Sequence, residues 1–271
     1  MKQLYLIVCF FLTLIPIKAN DFPFQAGEEL AFDIHYKYGL VMLKAGTANF
    51  KVVSSSHNNK NAFKSTVDFK TTAFFDKIFK MRDTLSSHIT EELIPLYHTR
   101  SVHEGNYAFN EKISFNSFST KYSEVRVKRE SREISKFDTI LSYNSKAYDI
   151  LNLILIICSI DYSQLDLSHT ENLPIFIGKD KINVTVRNEG QAIVEKSETL
   201  KYNTRKISLD FTNSAFKESK SAVEMWLSDD KNRIPIKIRA KLRIGAAEVH
   251  LQSWKNLKYP LSSEVKIPAS K

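Results

Sequence analysis

Cysteine is scarce in this sequence, with two residues among 271. Cys9 lies in an apolar N-terminal stretch that we expect to be removed on export, so Cys158 is the single thiol of the remaining chain. One thiol cannot form an intramolecular disulfide, and an exported domain of this kind must be held together by its core. Because Cys158 lies in the apolar run LILIICSI, we expect it to be buried, unpaired and unreactive.

Motifs of the common enzyme and metal-binding classes are missing as well. The sequence contains no GxSxG serine elbow, no HExxH motif and no paired cysteine motif. His98 and His103 are five residues apart, and side chains five positions apart on a strand face opposite sides. We therefore expect no catalytic residues, no metal site and no cofactor. Helix-turn-helix, zinc-finger and RNA-binding signatures are also absent, so we expect no nucleic acid partner.

Residues 1–19 have the pattern of a secretory signal peptide. Lys2 gives a positive start, residues 4–15 form an apolar core, and Ala19 offers a small residue at the cleavage point. A membrane anchor is the alternative, but the apolar run is shorter than the ~20 residues that a spanning helix needs. We therefore expect an exported, soluble chain of residues 20–271 without a transmembrane segment.

Positive charge is abundant. The formal net charge is +9, and it is +7 without Lys2 and Lys18 of the predicted signal peptide. Such a surplus suits an anionic neighbour. Outside the cytoplasmic membrane we expect that neighbour to be a lipid or polysaccharide surface.

Short β-strands account for most of the remaining pattern. In the first, Leu30, Phe32 and Ile34 alternate with polar residues, which is typical of a strand with one buried face. Turn signals separate further alternating segments at the spacing of an antiparallel meander or barrel. The sequence predicts a mainly β protein, either as a single domain over residues 20–271 or as two halves with a seam near the polar stretch 131–144.

Residues 145–160, SKAYDILNLILIICSI, break the strand pattern. Their length and nearly continuous apolar character favour a buried helix, with a pair of buried strands as the alternative. We expect Ser145 to be the N-cap, and Asp149 lies near the positive end of the helix.

The strand predicted at residues 234–244 alternates strictly, and all its polar residues are basic. Its apolar face is Ile236, Ile238, Leu242 and Ile244, and its basic face is Lys237, Arg239, Lys241 and Arg243. Like charges two residues apart on a strand lie ~6.7 Å from each other and repel unless acids or external anions compensate them. The basic face is therefore either a solvated strand face, helped by Glu224 and Glu248 on neighbouring strands, or a surface that meets anions.

The sequence SDDKNR, residues 228–233, precedes this strand and predicts a hairpin loop. Asp229 and Asp230 lie in the loop, and Pro235 follows it. A calcium site is the alternative, although the spacing of oxygen ligands and the glycine of a calcium loop are absent. We expect Trp226, on the strand before the loop, to pack inward.

Two stretches carry a pattern that spans nearly the whole mature chain. The first is Phe24-x-x-Gly27-Glu28-x-Leu30-x-Phe32-x-Ile34-x-Tyr36-x-Tyr38-Gly39, followed by Ala45-Gly46. The second is Met225-Trp226-Leu227-Ser228-Asp229-Asp230-x-Asn232-Arg233-Ile234-Pro235, followed by Ile244-Gly245. Together they resemble the exported bacterial family known as domain of unknown function 3108.

This resemblance implies an antiparallel β protein in the periplasm or at the periplasmic face of the outer membrane of a Gram-negative bacterium. The family has no assigned catalytic residues to carry over. A looser likeness is to the half-barrels that carry lipoproteins or lipids across the periplasm, in which a large curved sheet wraps around a helix. It implies a half-barrel or open barrel here, with the helix near 145–160 inside, but a fold does not fix a function.

Three functions remain open at this point. The first is a non-catalytic module that binds an apolar, lipid-like ligand, the second is a protein that docks on an envelope assembly, and the third is an enzyme of unrecognised type. For the binding module, the sequence predicts an apolar ligand-binding face. Its members are Leu30, Phe32, Ile34, Ile236, Ile238, Leu242 and Ile244.

Overall fold

The computed structural model describes residues 22–131, 136–167, 169–212 and 219–267. The predicted signal peptide, residues 1–19, lies outside these ranges. Within them the chain forms sixteen strands, two α-helices and a short 3₁₀ helix at Tyr162–Gln164. The strands are β1 (Glu29–Tyr38), β2 (Val41–His57), β3 (Lys60–Thr71), β4 (Arg82–Ile89), β5 (Pro95–Glu104), β6 (Tyr107–Phe118), β7 (Ser123–Ser131), β8 (Phe137–Tyr143), β9 (Thr170–Asn172), β10 (Ile175–Ile177), β11 (Asp180–Ser197), β12 (Leu200–Thr212), β13 (Ser219–Ser228), β14 (Pro235–Lys241), β15 (Ala246–Lys255) and β16 (Glu264–Lys266). The α-helices are α1 (Ala73–Asp76) and α2 (Ile150–Ser159).

One antiparallel sheet contains all the strands. Their order is β10-β11-β12-β13-β14-β15-β1-β2-β3-β4-β5-β6-β7-β8, with β16 added to β12 and β9 to β11. The pairing of β15 with β1 joins the two ends of the chain inside the sheet, so its N-terminal and C-terminal portions share one hydrogen-bonded surface. The predicted mainly β fold with one large antiparallel sheet is confirmed.

The sheet curves until its two edge strands approach each other. Tyr143 at the end of β8 and Phe176 in β10 form an edge-to-face ring pair with centroids 5.2 Å apart. The Phe176 N–H donates to the carbonyl of Tyr148, 2.8 Å away, in the segment that leads from β8 to α2. In the described part of the chain β8 and β10 do not pair with each other, so the barrel stays open.

The polar stretch 131–144, expected to be a seam, contains strand β8. This strand pairs with β7 from Ser123↔Tyr143 to Arg129↔Phe137 and so extends the sheet. Residues 132–135 lie outside the described ranges. The division of the chain into one domain or two halves stays a prediction.

The expected buried helix is present as α2, with eight of its ten residues buried. Its N-cap is Asp149, so the prediction of Ser145 was wrong. The Asp149 carboxylate accepts the backbone N–H groups of Leu151 and Asn152, at 3.0 and 2.9 Å. Ser145 is only partly buried, and its hydroxyl donates to the carbonyl of Lys146. A carboxylate satisfies two of the unpaired N–H groups of a first turn, which explains why the helix begins here.

Strand β14 ends at Lys241, three residues earlier than the alternation predicts. Leu242 and Ile244, expected in the apolar interior, are 48% and 63% exposed, so that prediction was wrong. They lie in a turn closed by a bond from the Leu242 N–H to the Gly245 carbonyl. Gly245 has φ +73°, and a Cβ there would collide with the carbonyl of Lys37 on β1. The turn therefore requires glycine, and it ends the strand whatever the hydrophobic pattern.

Trp226 was expected to pack inward, and this was also wrong. Its neighbours Met225 and Leu227 are the buried residues, at 1% and 0% exposure. The indole lies half-buried on the other face of β13, between the ammonium groups of Lys206 and Lys237, 5.4 and 5.2 Å from the ring. Successive side chains of a strand face opposite sides, so the two aliphatic neighbours on the core face place Trp226 on the polar one.

Candidate functional site

A cavity of about 180 Å³ lies between α2 and the sheet. Helix α2 contributes two side chains, strands β1, β2, β3, β14 and β15 contribute nine, and the N-terminal segment contributes one. All twelve are apolar, and no polar surface faces the space. The lining residues are Phe24, Leu30, Phe32, Ile34, Ala48, Phe50, Val67, Leu151, Ile154, Pro235, Ile238 and Val249.

Four of the seven residues predicted to form an apolar ligand-binding face line this cavity. They are Leu30, Phe32, Ile34 and Ile238. Ile236 is buried but borders a separate groove of about 310 Å³, in which His35, Glu195, Lys196 and His250 also take part. Leu242 and Ile244 lie in the exposed turn and do not line the cavity. The role of any of these residues in binding stays a prediction.

The space is bordered in part by small side chains of the sheet. Ala48 on β2 and Val67 on β3 line it together with Ile154 of α2. Ile34, Val67 and Ile154 remain only partly buried, although the core packs around them. Most protein interiors are close-packed, with few voids larger than a water molecule. An apolar void of this size is therefore a place where a ligand group can gain contacts that the protein does not make by itself.

A buried polar network fixes the N-terminal end of α2. The Ser87 hydroxyl on β4 donates to Asp149 Oδ1 at 2.7 Å and lies 2.8 Å from Nδ1 of His98 on β5. The Asn152 amide donates to Asp149 Oδ2 at 2.5 Å. Burial alone would raise the pKa of Asp149. Nearby His98 and the hydrogen bonds that the carboxylate accepts from Asn152 and Ser87 outweigh this effect and hold the pKa below its usual value. The carboxylate therefore stays charged inside the protein and ties the helix to two strands.

Ser87, His98 and Asp149 are the residue types of a hydrolase triad, but here they are arranged to hold the N-terminal end of α2 in place. All three are at most 2% exposed. The serine proton points to Asp149, so the hydroxyl is already bound to the carboxylate that should orient the histidine. No motif marks this network in the sequence, because its members lie far apart in the chain with no common spacing. The predicted opposite orientation of His98 and His103 is confirmed, since His98 is buried and His103 is exposed.

The C-terminal end of α2 is also held. The Arg233 side chain donates from Nε to the carbonyl of Cys158 at 2.8 Å, which satisfies one unpaired carbonyl of the last turn. Cys158 is a free, fully buried thiol, as predicted, and burial raises its pKa to about 12. Glu28 is fully buried too, and burial raises its pKa to about 8. Among the described residues its Oε1 has no hydrogen-bond partner.

The loop between β13 and β14 confirms the predicted hairpin. Asp230 accepts from the Ser228 hydroxyl, the Asn232 N–H and the Ser263 N–H, at 2.9, 3.0 and 3.1 Å. Asp229 accepts from Arg205 Nε at 3.0 Å and from Gln191 at 3.1 Å. Each carboxylate is thus bound to donors of the protein. Over the part of the chain that the structure describes, no group of three or more His, Cys, Asp or Glu side chains is placed to hold a metal ion.

The basic face of β14 divides into two parts. Lys237 Nζ lies 3.1 Å from Glu248, and Arg239 lies 3.5 Å from Glu224. Glu248 is 2% exposed, and its carboxylate also reaches Lys37 on β1 at 3.4 Å. This half of the face is neutralised by acids on neighbouring strands. Lys241, the last residue of β14, and Arg243, in the turn that follows, are exposed, and an anion-facing role for the face stays a prediction.

The family to which the chain belongs is shown by a match over most of its length. The family model described as protein of unknown function (DUF3108) matches residues 31–252. The chain belongs to this family. No curated protein matches the sequence.

A solved structure supports the fold. The chain is similar to a beta-barrel-like protein of domain of unknown function DUF1849 from Brucella abortus, with a TM-score of 0.58 and 10% sequence identity. The match covers 84% of this chain and 96% of that one. At this identity the likeness concerns the fold alone. In the described part of this DUF3108 chain, the helices are too short or too polar to cross a membrane.

Proposed function

We propose that this DUF3108 protein is a non-catalytic binding module for an apolar group, such as the end of an acyl chain. The observation that carries the proposal is the wholly apolar cavity of about 180 Å³ between α2 and the sheet. A polar or charged ligand would lose its hydration there without gaining hydrogen bonds, which is unfavourable. For an apolar ligand the transfer from water into the cavity is favourable.

The size of the cavity sets the size of the bound group. An engineered apolar cavity of roughly 150 Å³ stays dry and binds benzene, whereas pockets for drug-sized ligands measure roughly 300–1,000 Å³. The cavity therefore suits a short stretch of hydrocarbon or one ring. We propose that a longer ligand places only its end there and leaves its remaining length and its headgroup outside.

Catalysis is not part of the proposal. Two charged groups at the ends of α2 are engaged in holding it: Asp149 caps one end, and Arg233 bonds to the other. None of the residues that line the cavity carries a nucleophile or a proton-transfer group. We also propose that the protein works after export, in the cell envelope, which rests on the signal-peptide pattern of residues 1–19.

Native mass spectrometry of protein purified from its own envelope tests the proposal. We expect a fraction of the protein to carry a noncovalent apolar ligand, and the delipidated protein to bind cis-parinaric acid, a fluorescent fatty acid, saturably. Val67→Phe should occlude the cavity and lower probe affinity at least tenfold, while Val53→Phe, at a position of β2 that is 46% exposed, should not. Absence of both the native ligand and saturable probe binding would overturn the proposal.

A further inference from the structure

Exposed apolar side chains concentrate at one end of the sheet. Of the eighteen large hydrophobic residues that are exposed in the described ranges, ten lie in or directly beside three short connections. These connections are the β1–β2 hairpin, the segment of α1 between β3 and β4, and the β14–β15 turn. We call six of them, two from each connection, the apolar end: Leu40, Leu43, Phe74, Ile78, Leu242 and Ile244.

The sheet topology brings the three connections together. Strands β14, β15, β1, β2, β3 and β4 are consecutive neighbours and antiparallel, so alternate connections emerge at the same end. The Tyr36 hydroxyl on β1 donates to the Ile244 carbonyl in the β14–β15 turn at 3.3 Å. The Thr72 N–H, just before α1, donates to the Ala45 carbonyl on β2 at 2.9 Å. Side chains scattered along the sequence thereby form one surface.

The exposure of this surface is not accounted for by the fold. Leu40 is 105% exposed, and Ile78, Ile244 and Phe74 are 68%, 63% and 61% exposed. Single exposed apolar residues are ordinary, but a contiguous group of them marks an interaction site. No element of the described chain covers the group, which leaves its apolar surface open to another molecule.

The charges around the apolar end identify that molecule. The segments 36–44, 72–80 and 241–245 contain six cationic residues, Lys37, Lys44, Lys77, Lys80, Lys241 and Arg243. They contain one acid, Asp76, which is paired with Arg82 at 2.6 Å. Lys37 and Lys44 are paired with acids of the sheet, Glu248 and Asp33, at 3.4 and 2.7 Å, and the cations remain in excess. Apolar side chains flanked by lysine and arginine are the composition that binds the interface of a bilayer with anionic lipids. A second copy of this chain would instead bring two cationic ends together.

We propose that the apolar end docks on an anionic lipid surface. The leucine, isoleucine and phenylalanine side chains enter the boundary between headgroups and acyl chains, and the cations contact the lipid phosphates. This inference is independent of the apolar cavity, because it rests on other residues and on the opposite property, exposure.

Co-sedimentation of the full chain with vesicles tests the proposal. We expect binding to phosphatidylcholine vesicles that contain phosphatidylglycerol, and weaker binding to pure phosphatidylcholine. High salt should weaken it, since the Debye length falls from ~8 Å at physiological ionic strength to ~3 Å at 1 M. Leu40→Ser/Ile244→Ser should lower the affinity at least tenfold. The matched control Ile140→Ser/Ile193→Ser changes residues with 59% and 57% exposure on β8 and β11 and should bind like the wild type.

A second readout reports the location of the contact. In Leu40→Trp, emission measured against the wild-type background of Trp226 and Trp254 should shift to shorter wavelength with anionic vesicles and be quenched by brominated lipids. The proposal is overturned if the wild type does not bind anionic vesicles at low salt, or if both double variants lose binding equally. It is also overturned if sedimentation shows a dimer that Leu40→Ser/Ile244→Ser disperses, since the occupant would then be a second copy.

Discussion

At one end of the sheet the β1–β2, β3–β4 and β14–β15 connections are apolar, basic and exposed, while at the other end the β13–β14 loop is polar and bonded to the segment 259–263. Leu40, at the tip of the β1–β2 hairpin, is fully exposed. Asn232, in the β13–β14 loop at the other end, is fully buried, and its side chain donates to the carbonyls of Tyr259 and Pro260. The same sheet therefore has one end that is stabilised internally and one that is left for contact with another molecule.

Contacts that stabilise the fold and the surface proposed for binding lie at opposite ends of the sheet. The polar end holds the C-terminus of α2 through Arg233 and holds the 259–263 segment through Asp230 and Asn232. Substitutions there should cost folding free energy. Substitutions at the apolar end should change binding and leave the free energy of unfolding nearly unaltered.

The largest effect is expected inside the sheet, where the polar contacts anchor α2. Asp149→Ala removes the N-cap and leaves Ser87 and His98 with unsatisfied buried groups. We expect a loss of ~3–5 kcal/mol in the free energy of unfolding, the range for breaking a buried charged network. Chemical denaturation measures it. Asp161→Ala, which removes an exposed cap of the 3₁₀ helix, should cost ~1 kcal/mol or less; equal losses would mean that the buried network does not stabilise the helix.

The two ends themselves are compared most directly by Asn232→Ala and Leu40→Ser. Asn232 donates to two carbonyls and accepts the Tyr259 N–H at 2.9 Å, so its removal leaves three backbone groups unpaired. We expect a loss of about 3 kcal/mol for Asn232→Ala and a change within about 0.5 kcal/mol for Leu40→Ser. Thermal or urea unfolding checks both. A large loss for Leu40→Ser would show that the apolar end is structural.

A pH dependence should come from Glu28, which lies at the polar end just before β1. Its native pKa is raised from 4.5 to about 8, so the unfolded chain releases this proton at lower pH than the native protein does. Stability should therefore fall as the pH rises from about 4.5 to about 8. One pKa unit corresponds to about 1.4 kcal/mol, and we expect the fall to exceed about 1 kcal/mol.

Urea unfolding across this pH range checks the Glu28 prediction. Glu28→Gln should remove the fall. Glu29→Gln should keep it, because Lys51 lowers the pKa of Glu29 and thereby gives that carboxylate the opposite sign of pH dependence. If the free energy of unfolding still falls over this pH range in Glu28→Gln, another titrating group causes the fall.

Trp226 should contribute less to stability than its neighbours on the core face. It contacts two lysines on the polar face rather than the core, and exposed cation–π contacts contribute ~0.5–1 kcal/mol each. We expect Trp226→Ala to cost about 1–2 kcal/mol, against ~2–5 kcal/mol for the neighbouring Leu227→Ala, which leaves a cavity in the core. Equal costs in urea unfolding would place the indole in the core after all.

Local patterns in the sequence were enough for many of the strands and for the buried helix, but not for β8, which lies in the polar stretch expected to be a seam. Alternation located β1 and β14, and the apolar run located α2, because side-chain periodicity follows directly from backbone geometry. The cap of α2 was misplaced, since Ser145 and Asp149 both carry capping side chains and only the tertiary contacts with Ser87 and His98 favour the second.

The remaining errors have one cause in common. Leu242 and Ile244 continue the alternation of β14 past its end. Trp226 has a large apolar side chain, which is typical of core residues. In both cases the sequence pattern indicates that a side chain is apolar, but it does not indicate which part of the folded protein that side chain faces. The cavity itself was predictable only as a face, through Leu30, Phe32, Ile34 and Ile238, because its volume depends on how α2 packs against the sheet.

Filling the cavity from β2 tests the binding module most directly. Ala48→Leu places a larger side chain in the space, so cis-parinaric acid should bind at least tenfold more weakly while the melting temperature stays the same or rises. Ala31→Leu makes the same change on β1, on the face of the sheet that points away from the cavity, and should leave probe affinity unchanged. If Ala48→Leu binds the probe as tightly as the wild type does, the cavity is not the binding site and the account is contradicted.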